Sequence, residues 1–245
     1  MHEYERLRNI RVVLCEPSHP GNIGAAARAM KTMGLERLVL VSPRIFPHPE
    51  ADARASGALD VLHAAQCCRS LDDALAGAVF IGGLSARRRD LTPEVSDVRT
   101  AAHELVAAAA GAEVAVVFGP ERTGLSIEAL SRCHRLVRIP ANPAYPSLNL
   151  AASVQLMAYE LRCACADGEG TQLQGSDSRP ASHQEVEGLI AHLEQSMRAT
   201  GFLHPDRPGR LVLRMRRMFA RARVESEEVA ILRGFLHSVT ERRDP

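Results

Sequence analysis

The sequence predicts an α/β fold with a largely parallel sheet, followed by a small helical unit. Short, continuous apolar segments rich in β-branched residues are typical of strands buried on both faces. Helical periodicity between these segments is typical of strands joined by crossover helices. A polar stretch late in the chain separates the helical unit. With 245 residues, the chain can form one large domain, or one ordinary domain with an appendage.

Each predicted element follows from its own segment. The strands occupy residues 10–14, 38–41, 79–81, 114–118 and 136–139, and the main helices occupy residues 23–33, 59–65, 98–110, 126–130 and 148–164. Residues 167–182 are mainly Gly, Ser, Asp and Gln, which is typical of a flexible linker. Ser182 and Glu185 then have the spacing of a capping box that starts a new helix. We therefore expect a domain over residues 1–166, a linker over 167–182 and a helical extension over 183–245.

Composition argues against several classes of protein. No apolar run is long enough to span a bilayer, and the start of the chain lacks the apolar stretch of a secretory signal. We therefore expect a cytoplasmic protein with no membrane partner. The six cysteines show no Cys-x-x-Cys pair and no zinc-ligand spacing, so we expect reduced thiols and no metal. A net charge of +1 does not exclude a nucleic acid, because the distribution of charge matters more than its sum.

The first candidate site feature is a turn that joins the first strand to an Ala-rich helix. This turn contains Asn22 and Gly24, and the exposed N–H groups of the helix that follows suit an anionic backbone. Arg28 lies six residues after Asn22, so on a helix the two side chains project within about 120° of each other. The simpler alternatives are an N-cap role for Asn22 and a solvated charge for Arg28.

The second feature is the turn from Gly119 to Gly124, which follows a predicted strand. Its spacing is close to that of a phosphate-binding P-loop, but Leu125 stands where a P-loop needs lysine. Glu121 would also place a negative charge inside the phosphate cradle, so the sequence argues against an NTPase. A glycine turn at the carboxyl end of a parallel strand is the usual ligand-binding edge. Glycine there permits a flat ligand to approach the backbone.

The third feature is a proline-stiffened loop over residues 141–149 that enters a helix. A loop of this kind is preorganised, which suits catalysis by positioning. The simpler alternative is that Ser147 is a plain N-cap and Asn149 a residue of the first helical turn.

The C-terminal part of the chain adds a basic helix. Residues 207–223 contain seven arginines and no acid. At helical spacing, Arg210, Arg214, Arg217 and Arg221 form one stripe, and apolar residues form another. Because guanidinium groups fit phosphate oxygens and no carboxylate lies nearby in sequence, this stripe favours contact with phosphate groups. Arg87, with the two arginines after it, is assigned to the same surface.

The three turns together resemble the signature motifs of the SPOUT RNA methyltransferases, and specifically of the TrmJ-type tRNA ribose 2′-O-methyltransferases. The matching stretches are Asn22-Ile23-Gly24-Ala25-Ala26-Ala27-Arg28, then Phe118-Gly119-Pro120-Glu121-Arg122-Thr123-Gly124, then Ile139-Pro140 with Ser147-Leu148-Asn149-Leu150. The stretch from Gly201 to Gly234 also resembles the TrmJ-type tail, so the resemblance covers nearly the whole chain. It implies a parallel α/β sheet with a C-terminal trefoil knot, and a homodimer with its site at the subunit junction.

The resemblance also implies the reaction and the residues that perform it. A methyl group passes from S-adenosylmethionine to the ribose 2′-hydroxyl of cytidine or uridine at position 32 of the tRNA anticodon loop. Arg28 is placed at that hydroxyl, and the remaining catalytic residues are Asn22, Ser147 and Asn149. The implied cofactor contacts are Leu84, Ser85, Ala86, Gly119, Glu121, Ile139, Pro146, Ser147 and Leu148. Leu84 and Pro146 depart from the family pattern, which affects hydroxyl contacts more than backbone contacts.

Three alternatives remain open from the sequence. The first is a SPOUT 2′-O-methyltransferase that acts on another tRNA nucleotide or on ribosomal RNA; the TrmJ-like tail favours nucleotide 32 over it. The second is a non-catalytic RNA-binding protein that kept the sheet, against which Arg28, Ser147 and Asn149 argue. The third is an enzyme acting on a small nucleotide, which Leu125 weakens. We expect tRNA as the partner, and no DNA.

Overall fold

The computed structural model of the protein describes residues 4–86, 93–167, 179–203 and 210–241. Within them lie the strands β1 (Ile10–Cys15), β2 (Arg37–Val41), β3 (Gln66–Cys68), β4 (Phe80–Leu84), β5 (Glu94–Asp97), β6 (Val114–Phe118) and β7 (Arg135–Arg138). These strands form one sheet in the order β3-β2-β1-β6-β4-β7-β5, and every neighbouring pair is parallel. The predicted parallel α/β class is confirmed.

Helices cover both faces of the sheet. The helices of the sheet domain are α1 (Pro20–Met33), α2 (Pro49–Ala55), α3 (Leu59–His63), α4 (Leu71–Leu75), α5 (Val98–Ala108), α6 (Ile127–Leu130) and α7 (Leu150–Ala166), with short 3-10 helices at Glu5–Asn9 and Ser56–Ala58. The helices of the extension are α8 (His183–Ala199), α9 (Leu211–Ala222) and α10 (Ser226–Glu241). Alternation along β1 divides the core, since Val12 packs in the cluster of α1, α5 and α7 whereas Val13 packs in the cluster of α4 and α6. None of the described helices is long and apolar enough to cross a membrane.

The five predicted strands and the predicted main helices are present within a few residues of their expected ends. Sequence reasoning missed α2 and α4, and it missed the edge strands β3 and β5. Both edge strands are short and mostly exposed, so they lack the apolar run that marks a buried strand. The trefoil knot and the domain boundaries stay predictions, and most of the predicted linker lies outside the described residues.

The helical extension has its own small core and is attached to the sheet domain. Its core comprises Ala181, Leu189, Ile190, Phe219, Val229 and Leu236. The predicted capping box is present, because Ser182 and Glu185 exchange side-chain to backbone hydrogen bonds.

The extension docks at the edge of the sheet where the strands begin. Two backbone N–H groups at the start of α8, those of His183 and Gln184, donate to carbonyl oxygens of residues 78 and 76, at 2.9 and 3.1 Å. The guanidinium of Arg223 lies 4.7 Å from the ring centroid of Phe80, the first residue of β4. Arg223 also pairs with Glu104 of α5 at 3.2 Å. These contacts fix the extension at the amino ends of β4 and its neighbours.

Candidate active site

A cleft of about 780 Å³, open to solvent, lies at the carboxyl ends of β4, β6 and β7. Its lining residues are Leu84, Ser85, Ala86, Phe118, Gly119, Pro120, Glu121, Arg122, Thr123, Gly124, Val137, Ile139, Pro146, Ser147, Leu148, Leu150 and Ser153. Its position is the edge at which open parallel sheets bind ligands.

The floor of the cleft is the turn after β6, and its own geometry demands glycine. The N–H of Gly124 donates to the carbonyl of Pro120 at 2.8 Å, and Gly124 has a φ of +65°, which a side chain disfavours. A Cβ on Gly119 would lie 2.3 Å from the backbone of Gly124 and Leu125. From the sequence, Gly119 was expected only to permit close approach of a ligand. That explanation is incomplete, because the turn itself leaves no room for a side chain at this position.

Glu121 joins this turn to the start of α1. Its carboxylate accepts hydrogen bonds from the backbone N–H groups of Ser18 and His19, at 3.0 and 3.2 Å, and from the Ser18 hydroxyl at 2.9 Å. The side-chain amide of Asn22 donates to the same carboxylate at 3.0 Å. A negative charge at the amino end of a helix is also favoured by the helix dipole.

These contacts set the charge state of Glu121. Desolvation by partial burial opposes ionisation, but the hydrogen bonds from Asn22 and Ser18 outweigh it and lower the pKa from 4.5 to about 2. The group is therefore a carboxylate at neutral pH, and its acceptor capacity is largely used by the start of α1.

The third turn reaches the same network through Asn149. This residue is the N-cap of α7, where its side-chain oxygen accepts from the N–H groups of Ala151 and Ala152. Its amide nitrogen donates to the side-chain oxygen of Asn22 at 3.0 Å. Three turns that are far apart in sequence thus converge on Asn22 and Glu121.

The simpler sequence interpretations of two residues are wrong. The N-cap of α1 is His19 and that of α7 is Asn149, so neither Asn22 nor Ser147 caps a helix. Asn22 lies in the first turn of α1, and Ser147 precedes α7 and lines the cleft.

The predicted site residues fall into three places. All nine residues expected to contact the cofactor line the cleft, including Ser147, which is also expected to be catalytic. Asn22 and Asn149 lie beside the cleft in the Glu121 network. Arg28 does not line the cleft of its own chain; it is exposed on α1, and its guanidinium has no hydrogen bond or ion pair within the described part of the chain.

The predicted RNA-binding residues lie elsewhere. Arg214, Arg217 and Arg221 are exposed along α9, and no carboxylate among the described residues pairs with them. Arg210, just before α9, is exposed as well. Arg87 lies outside the described residues.

Sequence reasoning missed two residues of the site. Ser18 offers both its backbone N–H and its hydroxyl to Glu121, and Arg122 lines the cleft. For Ser18 the available signal was its place in the first turn, two residues before the start of α1. For Arg122 the available signal was its place in the second matching stretch, directly after Glu121.

A cleft at the carboxyl ends of parallel strands, bordered by three converging turns, defines an α/β protein with a site for a small-molecule ligand. The model of the SpoU rRNA Methylase family matches residues 9–159, and the model of the tRNA methyltransferase TrmJ C-terminal domain matches residues 184–245. The chain belongs to the SpoU methylase family and carries a C-terminal domain of the TrmJ type, which confirms the resemblance seen in the sequence.

Two named relatives match nearly the full length of the chain, and a third matches about two thirds of it. The chain is 47% identical over 238 residues to the tRNA (cytidine/uridine-2′-O-)-methyltransferase TrmJ of Escherichia coli, covering 96% of this chain and 97% of that one. A solved structure of TrmJ from Z. mobilis is 33% identical with a TM-score of 0.83, covering 94% and 98%. A structure described by the 2-OH methylation of C/U34 on tRNA is 27% identical with a TM-score of 0.52, covering 65% and 97%.

The ionised Glu121 carboxylate generates a prediction about stability and pH. Its pKa is lowered in the fold, from 4.5 to about 2, so it stabilises the fold above about pH 4.5 and loses that effect as the pH falls toward 2. The free energy of unfolding of Glu121→Gln should therefore lie below that of the wild type at about pH 7, with a smaller gap at about pH 3. Urea denaturation at both pH values measures this gap.

Glu36→Gln is the matched control for this experiment. Glu36 is exposed and hydrogen-bonds to no described residue, so its replacement should leave stability unchanged at both pH values. A gap for Glu121→Gln that is equal at the two pH values contradicts the assigned charge state.

Proposed function

We propose that this protein is a cytoplasmic, S-adenosylmethionine-dependent tRNA 2′-O-methyltransferase that modifies cytidine or uridine at position 32. The observation that carries the proposal is the convergence of the three turns on one cleft through Glu121 and Asn22. The TrmJ relative at 47% identity is named for this reaction on cytidine and uridine, and the TrmJ-type extension supports position 32.

The lining of the cleft fits S-adenosylmethionine by its chemistry. Its apolar part, formed by Leu84, Phe118, Val137 and Ile139, suits an adenine ring, and the backbone of the glycine turn offers polar groups for the edge of the base. When bound, the cofactor supplies an electrophilic methyl group. The chain itself must then orient the ribose and favour loss of the proton from its 2′-hydroxyl, since hydroxyls are weak nucleophiles until activated.

Arg28 is the group proposed to act on the 2′-oxygen. A guanidinium keeps its proton at neutral pH and is therefore a poor general base, but it stabilises negative charge that develops on an oxygen. Asn22 and Asn149 are held by each other and by Glu121, so they present their remaining donors in fixed positions. Ser147 faces the cleft from the third turn.

A second copy of the chain accounts for the position of Arg28. Arg28 is exposed on α1 outside the cleft of its own chain, and α1 packs against α7. On α7, Leu156 and Tyr159 are 39% and 50% exposed, which leaves apolar surface uncovered. We infer a homodimer through this face, in which Arg28 of one copy completes the cleft of the other.

The extension is proposed to bind tRNA through the exposed arginines of α9. The relative described by methylation of C/U34 is matched over 97% of its length yet covers 65% of this chain. That relative therefore has no counterpart for about one third of this chain. This difference supports a target nucleotide other than 34 for the present protein.

The direct test of the function is nucleoside analysis. Pure protein is incubated with S-adenosylmethionine and unmodified tRNA, and the tRNA is digested and examined by mass spectrometry, with nuclease fragments used to locate the product. Methylation of the ribose at nucleotide 32 supports the proposal. Methylation at nucleotide 34, on a base, or not at all overturns it.

Arg28 provides a prediction about turnover. Arg28→Ala should lower kcat by about 100- to 1,000-fold, the usual cost of removing a donor to a developing oxyanion. Its Kd for S-adenosylmethionine, measured by calorimetry, should stay within about twofold of the wild type, because the residue does not line the cleft. Wild-type turnover in this variant refutes the assigned role.

Mixed dimers test whether Arg28 acts across the subunit junction. The partner variant is Gly119→Ala, because its Cβ would lie 2.3 Å from the turn backbone and should abolish cofactor binding. If Arg28 acts on the other copy, mixing inactive Arg28→Ala with inactive Gly119→Ala should restore about one quarter of wild-type activity, since half the dimers are mixed and each holds one intact site. If Arg28 acts within its own chain, every site stays defective and no activity returns.

Matched glycine variants and a size measurement complete this experiment. Gly111→Ala adds the same methyl group where no atom lies within 4 Å, so it should bind cofactor normally. Analytical ultracentrifugation of the mixture checks that dimers form and exchange; a monomeric wild type contradicts the proposed homodimer.

The arginine stripe of α9 gives a prediction about tRNA affinity. The triple variant Arg214→Ala, Arg217→Ala and Arg221→Ala should bind tRNA more weakly and reduce the slope of log K against log salt by about two to three, near 0.9 for each lost phosphate contact. Filter binding at several salt concentrations measures both values. The triple lysine variant should keep most of the slope, and an unchanged slope in the alanine variant argues against this surface.

A further inference from the structure

The cleft contains very little charge, and only part of it is available to a ligand. Among its described lining residues, Glu121 and Arg122 carry the formal charges. The Glu121 carboxylate is occupied by donors from Ser18, His19 and Asn22. The guanidinium of Arg122 is therefore the charged group of the described lining that remains available to a ligand. Because it is a cation, the ligand group that suits it is an anion.

The position of Arg122 favours a ligand that approaches from solvent. Arg122 is exposed, whereas the strand ends beneath it, Phe118 and Val137, are buried. Its guanidinium makes no hydrogen bond or ion pair with a described residue. A bare guanidinium at the mouth of a ligand cleft suits the phosphate of a polymer that enters from outside, because its fork of donors matches phosphate oxygens.

The backbone that carries Arg122 is held on both sides. On one side, the preceding Glu121 is bonded to the start of α1. On the other side, the N–H of Gly124 closes the turn onto Pro120 at 2.8 Å. The base of the Arg122 side chain is thus preorganised by the same contacts that assemble the site, which lowers the entropic cost of binding through it.

We propose that Arg122 binds one of the two phosphates that flank the target ribose and thereby positions the nucleotide over the cofactor cleft. This inference rests on the proposed function, because it takes RNA as the substrate. The proposed contact of Arg122 with RNA at the cleft is distinct from the proposed contact of α9, which lies farther away. The other anion available to Arg122 is the carboxylate of S-adenosylmethionine, and the experiment distinguishes the two.

Binding is measured without turnover, so that its result does not depend on activity. Full-length wild type, Arg122→Ala and Arg122→Lys are titrated with fluorescent tRNA in S-adenosylhomocysteine at several salt concentrations. We expect Arg122→Ala to raise the tRNA Kd about five- to tenfold and to lower the salt slope by about 0.7, the value per phosphate for a single strand, with Arg122→Lys intermediate in affinity and close to the wild type in slope. The Kd for S-adenosylmethionine should change less than about twofold.

Arg8→Ala is the matched control. Arg8 is exposed, has no partner among the described residues, and precedes β1 at the opposite edge of the sheet from the cleft. Its loss should leave the tRNA Kd unchanged. An equal loss of affinity in Arg8→Ala and Arg122→Ala would show a general effect of charge and overturn the proposal.

A neutral linkage in the RNA locates the contact. In an anticodon stem-loop, a methylphosphonate that replaces one phosphate flanking the target nucleotide should weaken binding to the wild type but not to Arg122→Ala. If the loss of affinity from the methylphosphonate adds to that from Arg122→Ala at both linkages, the proposal is overturned. It is also overturned if Arg122→Ala raises the Kd for S-adenosylmethionine tenfold and leaves tRNA binding unchanged. Failure of the wild type to methylate tRNA sinks the proposed function, while these binding measurements still decide the role of Arg122.

Discussion

The site depends on one ionised carboxylate placed against the start of a helix. Glu121 belongs to the turn after β6, yet its hydrogen-bond partners belong to the turn after β1. Without the negative charge, the N–H groups of Ser18 and His19 and the amide of Asn22 would all face a weaker acceptor. Because Asn22 is also bonded to Asn149, the orientation of the third turn depends on the same carboxylate. The network costs desolvation of one charge, which its hydrogen bonds offset.

The order of the strands explains why this carboxylate can reach three distant turns. In the sheet, β6 lies between β1 and β4, and β7 lies next to β4. Parallel strands place all their carboxyl ends at one edge, so the turns after these four strands become neighbours although more than 100 residues separate the first from the last. A two-strand shift in this order would separate Asn22 from Glu121 and leave no cleft of this shape.

The sequence predicts the buried half of the molecule better than its exposed half. Continuous apolar runs mark β1, β2, β4 and β6, whereas β3 and β5 are recognised only once their neighbours are known, since edge strands are specified by pairing rather than by burial. The motifs predict which residues line the cleft, but not that Glu121 serves α1, because that contact requires the adjacency of β1 and β6. The sequence also does not indicate that Arg28 lies outside the cleft of its own chain.

The extension and the cleft lie at opposite edges of the same sheet. The extension is fixed to the amino ends of the strands through contacts with Phe80 and Glu104, whereas the cleft lies at their carboxyl ends. A strand of five residues spans about 17 Å, so an RNA held by α9 must extend at least that far to place a ribose in the cleft of the same chain. The exposed Arg122 at the mouth of the cleft would give such an RNA a second anchor beside the reacting ribose.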